Sequence, residues 1–356
     1  MAESHFRAPA RVNLIGGQVD YHEGIVVGIA IDRDVTVSAA PRDDARVVAR
    51  SDTFDDIVDV AADGSNEPSR VVPAWGRPVA GVVRTLADAG REPVGAELDV
   101  TSTIPLGAGL SSSAAFEVAV ALALCDVAGF ALPTRDLARA AQGAEHIALG
   151  VPCGIQDQLT SLTGAPGRAV RIDCRTLDIE SLPIPPGVGI VVVQSGVART
   201  LEGSPWTARR AESFAVAERL GLRVLRDARA DQVTGEPCGR HVVSEIARAA
   251  AFADALRDGD VGALGPLLLA SHASSRDDMQ VSVPELDALV EELVAAGAYG
   301  ARLTGGGFGG CVVALVPAAR SAAIGAEAAD AYARRTGRAP TPWVVEPAAG
   351  ASALAS

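Results

Sequence analysis

The chain contains no lysine, and all 31 of its basic residues are arginine. That absence excludes a Schiff-base lysine, pyridoxal-phosphate chemistry and a lysine nucleophile. It also excludes a Walker A loop, whose lysine reaches the terminal phosphates of a nucleotide. Positive charge is in deficit: 31 basic residues face 44 acidic ones, for a net charge of -13. A general nucleic-acid binder needs a basic face, so that class is set aside. Cysteine is sparse, with Cys125, Cys153, Cys174, Cys238 and Cys311 and no CxxC spacing. Neither a disulfide framework nor a zinc site is expected, and a cytoplasmic setting is. His5, His22, His146, His241 and His272 show no HxH or HExxH spacing and read mostly as surface or hydrogen-bonded core residues. Residues 1–12 lack the apolar stretch of a signal peptide. The most apolar long window, 114–133, carries Glu117 and Asp126 and reads as a buried helix, so no membrane association is expected.

What is present is an ordinary globular chain of 356 residues, 48% of them hydrophobic. Its length suggests two domains at a typical ~150 residues each. Residues 12–16 and 25–40 read as strands joined by a short polar turn, and 46–60 as further strands. Val79, Val82, Val83 and Leu86 share one face of a helix over 75–90. A strand leads to Pro105; a long helix to about residue 128, a second over 134–149 and a short one over 155–163 follow. Two strands come next, around RAVRIDC and GVGIVVVQS, with the proline-rich SLPIPPGVG between them as a candidate domain junction. From 207 onward helices dominate (207–221, 241–257, 260–273, 284–297), then a glycine loop, the strand CVVALVP, a helix over 319–336 and a strand near TPWVV. Strands and helices do not alternate as βαβ units, which favours an α+β class with two packed domains. The tail AAGASALAS is expected to fray.

Two loops are rich in glycine. TGGGFGG matches the dinucleotide fingerprint GxGxxG at Gly305, Gly307 and Gly310, but a helix is expected before it and a strand after it, the reverse of what that fold requires. The other loop, Pro105 to Ser113, reads PLGAGLSSS and opens directly into a helix. Unpaired N–H groups and the positive helix end would face whatever lies over it. Its three serine hydroxyls have three possible uses: capping the helix, binding phosphate oxygen or coordinating Mg2+.

Among the carboxylates, Asp157 stands in the nearly uncharged segment CGIQDQ, as a reactive acid or as a satisfied structural one. Glu145 lies on the preceding helix, Asp20 in the early turn, and Arg11 is the only basic residue near that turn. Phosphoryl transfer needs cations on the phosphates, an aligned hydroxyl and an acceptor for its proton. Without lysine, the cations must be Arg, Mg2+ and backbone N–H groups.

ARVNLIGGQVDYHEG, PLGAGLSSSAA and LTGGGFGGC resemble, in order and spacing, the three motifs of the GHMP kinase superfamily. GVPCGIQDQ, IDCRTL, SGVARTL with ARRAE, and SHASSRDDMQVSVPELD extend the resemblance to the galactokinase branch, from Ala8 to about Val345. The resemblance implies a two-domain GHMP kinase fold with the active site in the interdomain cleft. The expected division is 1–180 and 181–356, the final strand returning to the first domain. It also implies transfer of the ATP γ-phosphoryl group to the anomeric hydroxyl of a sugar. By matched position, Asp157 would be the catalytic acid group and Arg11 would steady it and the phosphoryl. Glu145 with Ser112 or Ser113 would hold Mg2+. Gly107, Gly109, Leu110, Ser111, Ser112 and Ser113 would cradle the phosphates, Trp75 would line the nucleotide pocket, and Gly306 and Gly307 would close over the site. Asp20 and Gly154 would bind the sugar.

Departures from the family pattern bear on the substrate. Gly17 and Gln18 replace a Glu-His pair facing the sugar's C6 end, Trp206 replaces a sugar-facing Tyr, and Gln156 and Gln194 are also atypical. The expectation is that the space of a Glu side chain is empty and that a C6-extended sugar (a heptose or octose) fills it. Alternatives are an L-arabinokinase, an ordinary galactokinase, and a sensor that binds sugar and ATP without turnover. The partners expected are the sugar and ATP alone, with the protein a monomer or homodimer.

Overall fold

The protein is described from a computed structural model covering residues 3–105, 107–198 and 205–354. The chain opens with two long antiparallel strands, β1 (Ser4–Ile15) and β2 (Ile25–Arg42). Every residue of β1 from Ala8 to Ile15 is buried, which suits a strand covered on both faces. β3 (Arg46–Ser51), β4 (Val58–Ala61), helix α1 (Gly76–Asp88) and β5 (Gly95–Ser102) follow. Helices α2 (Ser112–Val127), α3 (Thr134–Leu149) and α4 (Gln156–Thr163) precede β6 (Arg168–Asp173) and β7 (Asp178–Pro183). Gly81 of α1 lies so close to the Ala144 backbone of α3 that a Cβ would collide, and the two helices pack tightly because of it. The unbroken apolar run of α2 places it in the core, against β1 and β2.

The second half begins with β8 (Val188–Gln194) and continues through α5 (Pro205–Arg219), α6 (Pro237–Asp258), α7 (Val261–Asp277) and α8 (Pro284–Ala295). It ends with β9 (Gly300–Thr304), β10 (Cys311–Pro317), α9 (Ser321–Thr336), β11 (Thr341–Val345) and β12 (Ser352–Leu354). The larger sheet runs β12-β1-β2-β5-β3-β4, with β6 and β7 continuing from β2; the smaller runs β11-β8-β10-β9. α6 and α7 touch both β1 and elements of the second half, so they join the two sheets. Among the described residues no helix is long and apolar enough to cross a membrane.

Two expectations are corrected. The glycine loop 305–310 follows a strand, β9, because GARLT is buried at all five positions and carries no alternation that would mark it off from the helix before it. The loop joins two antiparallel strands, and the dinucleotide fingerprint fails for want of a following helix. Over its described residues, 348–354, the tail does not fray: β12 pairs with β1, and the N–H groups of Ala348, Gly350 and Ala351 donate to the carbonyls of Ala30, Gly164 and Ser161. Gly350 passes against the Leu162 backbone, where a Cβ would not fit. Part of the SGVARTL motif, residues 199–201, lies outside the described residues.

Candidate active site

The loop before α2 has a backbone that few sequences allow. Gly107 and Gly109 take positive φ (68° and 75°), and so does Ser111 at 59°. A left-handed serine is unusual and marks a constrained position. Ser111 stands at the N-cap of α2, yet its hydroxyl does not cap the helix. It donates instead to Asp157 Oδ2. The helix-capping reading of this serine therefore fails, and the first N–H groups of α2 are left for another acceptor.

Arg11, central on β1, meets Asp157 from the start of α4 as a two-pronged pair. Nε and Nη2 each donate at 2.6 Å to separate oxygens of the carboxylate. The third arm, Nη1, donates to the Gly109 carbonyl at 3.1 Å, and the Arg11 backbone N–H donates to the Leu110 carbonyl. One arginine thus ties the acid to the glycine loop. Both side chains are mostly buried, 8% and 23% exposed, so the pair is little screened.

Behind this pair lies Glu145 of α3. It accepts from Ser113 Oγ at 2.9 Å on one oxygen and from Gln158 Nε2 and Cys153 Sγ, each at 3.0 Å, on the other. Burial raises its pKa, and the Asp157 charge adds to that. Glu117, buried one helical turn beyond Ser113, makes no close hydrogen bond among the described residues, and burial and Glu145 push its carboxyl well above the usual range. Asp20 faces the same region from the β1–β2 turn; burial and Asp157 raise it to about 6. Gly154 is where it is because a Cβ there would strike the Asp20 carboxylate.

The opposite wall is built by the β1–β2 turn with α5 and α6. Gln18, at φ 65°, accepts on Oε1 from Trp206 Nε1 (2.8 Å) and Tyr21 Oη (3.1 Å). Gly16 and Gly17 donate their N–H groups to Glu245 Oε1, and His241 contacts the Gly17 carbonyl at 3.0 Å. Burial works to raise Glu245, but Arg302, His241 and Arg248 outweigh it and hold the carboxyl below its ordinary value. The expected vacancy at Gly17 is not there. A Cβ on Gly17 would run into Nη2 of Arg302, a fully buried side chain from β9. The volume released by losing a side chain at position 17 is taken by a guanidinium.

Between these walls lies one cavity of about 300 Å3, with Glu117, Glu245, His241 and Arg302 behind its lining. It gathers Arg11, Asp157, Glu145, Gly107, Gly109, Ser111, Ser112, Ser113, Asp20, Gly154, Gly17, Gln18, Trp206 and Gly306. Three expected residues lie elsewhere. Leu110 is buried in the core and contributes only its carbonyl to Arg11. Gly307 packs against the Val281 backbone, too close for any Cβ. Trp75 stands outside the cavity, stacked on Phe54 and edge-on to Phe116 of α2, its Nε1 bound to the Asp56 carbonyl. Asn13, Glu245, His241 and Arg302 were not anticipated, and no local pattern marks them, since they meet only through packing of α6 and β9 against β1.

Residues 77–165 match the model of the GHMP kinase N-terminal domain and residues 252–334 that of the C-terminal domain. Residues 2–41 match a galactokinase galactose-binding signature. The chain is 43% identical over 355 residues to a galactokinase of Roseiflexus sp. (strain RS-1), covering 95% of this chain and 90% of that one. It is 42% identical over 365 residues to a galactokinase of Chloroflexus aurantiacus, covering 98% and 93%. The crystal structure of Lactococcus lactis galactokinase complexed with galactose superposes with a TM-score of 0.92 at 32% identity, covering 99% of this chain and 95% of that one.

Proposed function

The chain belongs to the galactokinase branch of the GHMP kinases and is a sugar kinase, and from that premise we propose that it transfers the γ-phosphoryl group of ATP to the anomeric hydroxyl of a galactose-type monosaccharide. The observation that carries this reading is the joined unit of Arg11, Asp157, Ser111 and the glycine loop at the start of α2. Asp157 would receive or align the sugar hydroxyl. Arg11 would hold the carboxylate in a fixed orientation, and would bring positive charge to the transferring group. The free N–H groups of the loop would bind phosphate oxygen.

Ser112, Ser113 and Glu145 suit Mg2+. Among the described residues no three His, Cys, Asp or Glu side chains converge on one metal position, which leaves one carboxylate, hydroxyls and substrate phosphates. A hard, water-keeping cation takes such a set. Bound there, it would neutralise phosphate charge. The serine hydroxyls and Glu145 would hold it, while Gln158 and Cys153 orient the carboxylate.

A neutral extension such as that of a heptose or octose loses its main support with the finding that a guanidinium, and not a void, lies behind Gly17. The test is ADP release with Mg-ATP across free sugars, galactose and L-arabinose among them. Sugar-dependent ADP is expected, with Asp157→Asn slowing turnover by about 10^3-fold while ATP still binds. Near-normal turnover in that variant would remove Asp157 from its assigned role, and a chain that binds sugar and ATP without ADP release would be a sensor.

A further inference from the structure

The chemistry of the Gly17 wall, which bears on substrate class and rests on the sugar-kinase reading, differs from that of the rest of the cavity. The charges separate into two groups. Asp20 is coupled to Asp157 and Arg11, on the side where phosphoryl transfer is placed. Arg302 is coupled instead to Glu245 and Arg248. A sugar with its anomeric hydroxyl at Asp157 would present another part of its ring or substituents to the wall of Gly17, Gln18 and Trp206 in the same cavity.

Apart from the carboxylates of Glu245, behind Gly17, and Asp20, in the same turn, the groups that the described residues of this wall offer a ligand are donors or a positive charge. Gln18 has its side-chain carbonyl held by two donors, Trp206 and Tyr21, so the amide NH2 is the part left to face a ligand. Arg302 lies directly behind Gly17 and is bonded through Nη1 to Asn13 Oδ1 at 2.6 Å; both Asn13 and Gly17 line the cavity. Among the described residues its Nη2 and Nε find no hydrogen-bond acceptor, although the side chain is fully buried. Glu245, the nearest acid, is occupied by two backbone N–H groups, Ser271 and Arg248, and it balances only one of the two arginines beside it. A buried guanidinium with two of its three nitrogens lacking an acceptor is costly, and a ligand charge that offsets that cost is selected. Only a residue without a side chain at position 17 leaves the guanidinium this close to the cavity.

We propose that this wall receives an oxyanion of the substrate: a carboxylate or phosphate carried by the sugar on the end away from its anomeric hydroxyl. Gln18 Nε2 donates to it, and the Arg302 charge stabilises it across Gly17 in a setting of low dielectric. A neutral hydroxymethyl group offers this wall less, because it leaves the positive charge uncompensated.

The test is titration calorimetry of the full chain with galactose, galacturonate and galactose 6-phosphate. At least one acid is expected to bind about tenfold or more tightly than galactose, and whichever wins identifies carboxylate or phosphate as the source. Gln18→Glu keeps the volume and places a negative charge on the wall, and it should abolish the preference. Arg302→Gln should do the same, and Gln18→Glu stands alone if that variant does not fold. Galactose binding as tightly as both acids would overturn the proposal. ADP release is read separately. Acid preference without ADP from any sugar would sink the kinase reading and leave the wall, whereas turnover of galactose without acid preference would do the opposite.

Discussion

Arg11→Lys is the sharpest probe of the catalytic unit because it keeps the charge and removes the geometry. Arg11 makes three side-chain hydrogen bonds, two to Asp157 and one to the Gly109 carbonyl. A lysine ammonium at the end of a flexible stem retains one contact with the carboxylate and cannot span to the loop. A lost hydrogen bond to a charged group is worth about 1.5–3 kcal/mol and a lost bond to a carbonyl about 1 kcal/mol. Together these give roughly 2.5–4 kcal/mol. If that stabilisation is expressed in the transition state, kcat falls about 10^2- to 10^3-fold. The assay is initial-rate ADP release at saturating sugar and ATP, with KM for ATP and the melting temperature measured alongside. KM for ATP should stay within about threefold, because the loop N–H groups that hold the phosphates remain. A variant with kcat within about threefold of the parent and only a lowered melting temperature would show Arg11 to be a structural strut.

Gly154→Ala should raise KM for the sugar by about tenfold or more with a smaller loss in kcat, since the new methyl displaces the Asp20 carboxylate and leaves Asp157 bonded. An unchanged sugar KM would show that Asp20 does not bind the sugar. The raised pKa of Asp20, about 6, gives a pH dependence of definite sign. In its proposed role the ionised form would accept sugar hydroxyls, so kcat/KM for the sugar should fall as pH drops below about 6, and Asp20→Asn should flatten that limb of the profile. A limb that persists in the Asn variant would assign the titration to another group.

The parts of the molecule legible in the sequence are those whose local pattern and final environment agree. The apolar run of α2 could only be buried, and the small residues and hydroxyls of 107–113 announce a backbone meant to be approached closely. β9 was illegible because five buried residues without alternation look the same as the last turn of a helix. The far wall was illegible for a different reason. Gly17 reads as a deletion, and in sequence a deletion reads as a hole. Whether the hole is real depends on Arg302, a residue on a distant strand whose long side chain crosses to β1. Glu245 is equally mute: nothing within α6 says that its carboxylate will bind two N–H groups of a turn at the other end of the chain. The tail misled because an Ala-Gly-Ser composition carries no side-chain signal, while its pairing with β1 uses backbone groups that every residue has.

The route of that tail has a consequence for the order in which the enzyme comes into being. The segment 348–354 does more than cover the edge of β1. Its N–H groups fasten onto Ser161 and Gly164, at the far end of the same short helix whose first turn holds Asp157, and Ser161 in turn grips the Pro9 carbonyl of β1. On the ribosome, β1, the serine loop and α4 all emerge long before that segment does. They wait with their shared edge unclosed until the strap arrives. A nascent chain therefore holds every group of the proposed phosphoryl-transfer unit, and the N-terminal end of the helix that carries Asp157 is already tied to Arg11 and Ser111, while the other end of that helix gains its last backbone bonds only when the second half of the protein reaches back to the first.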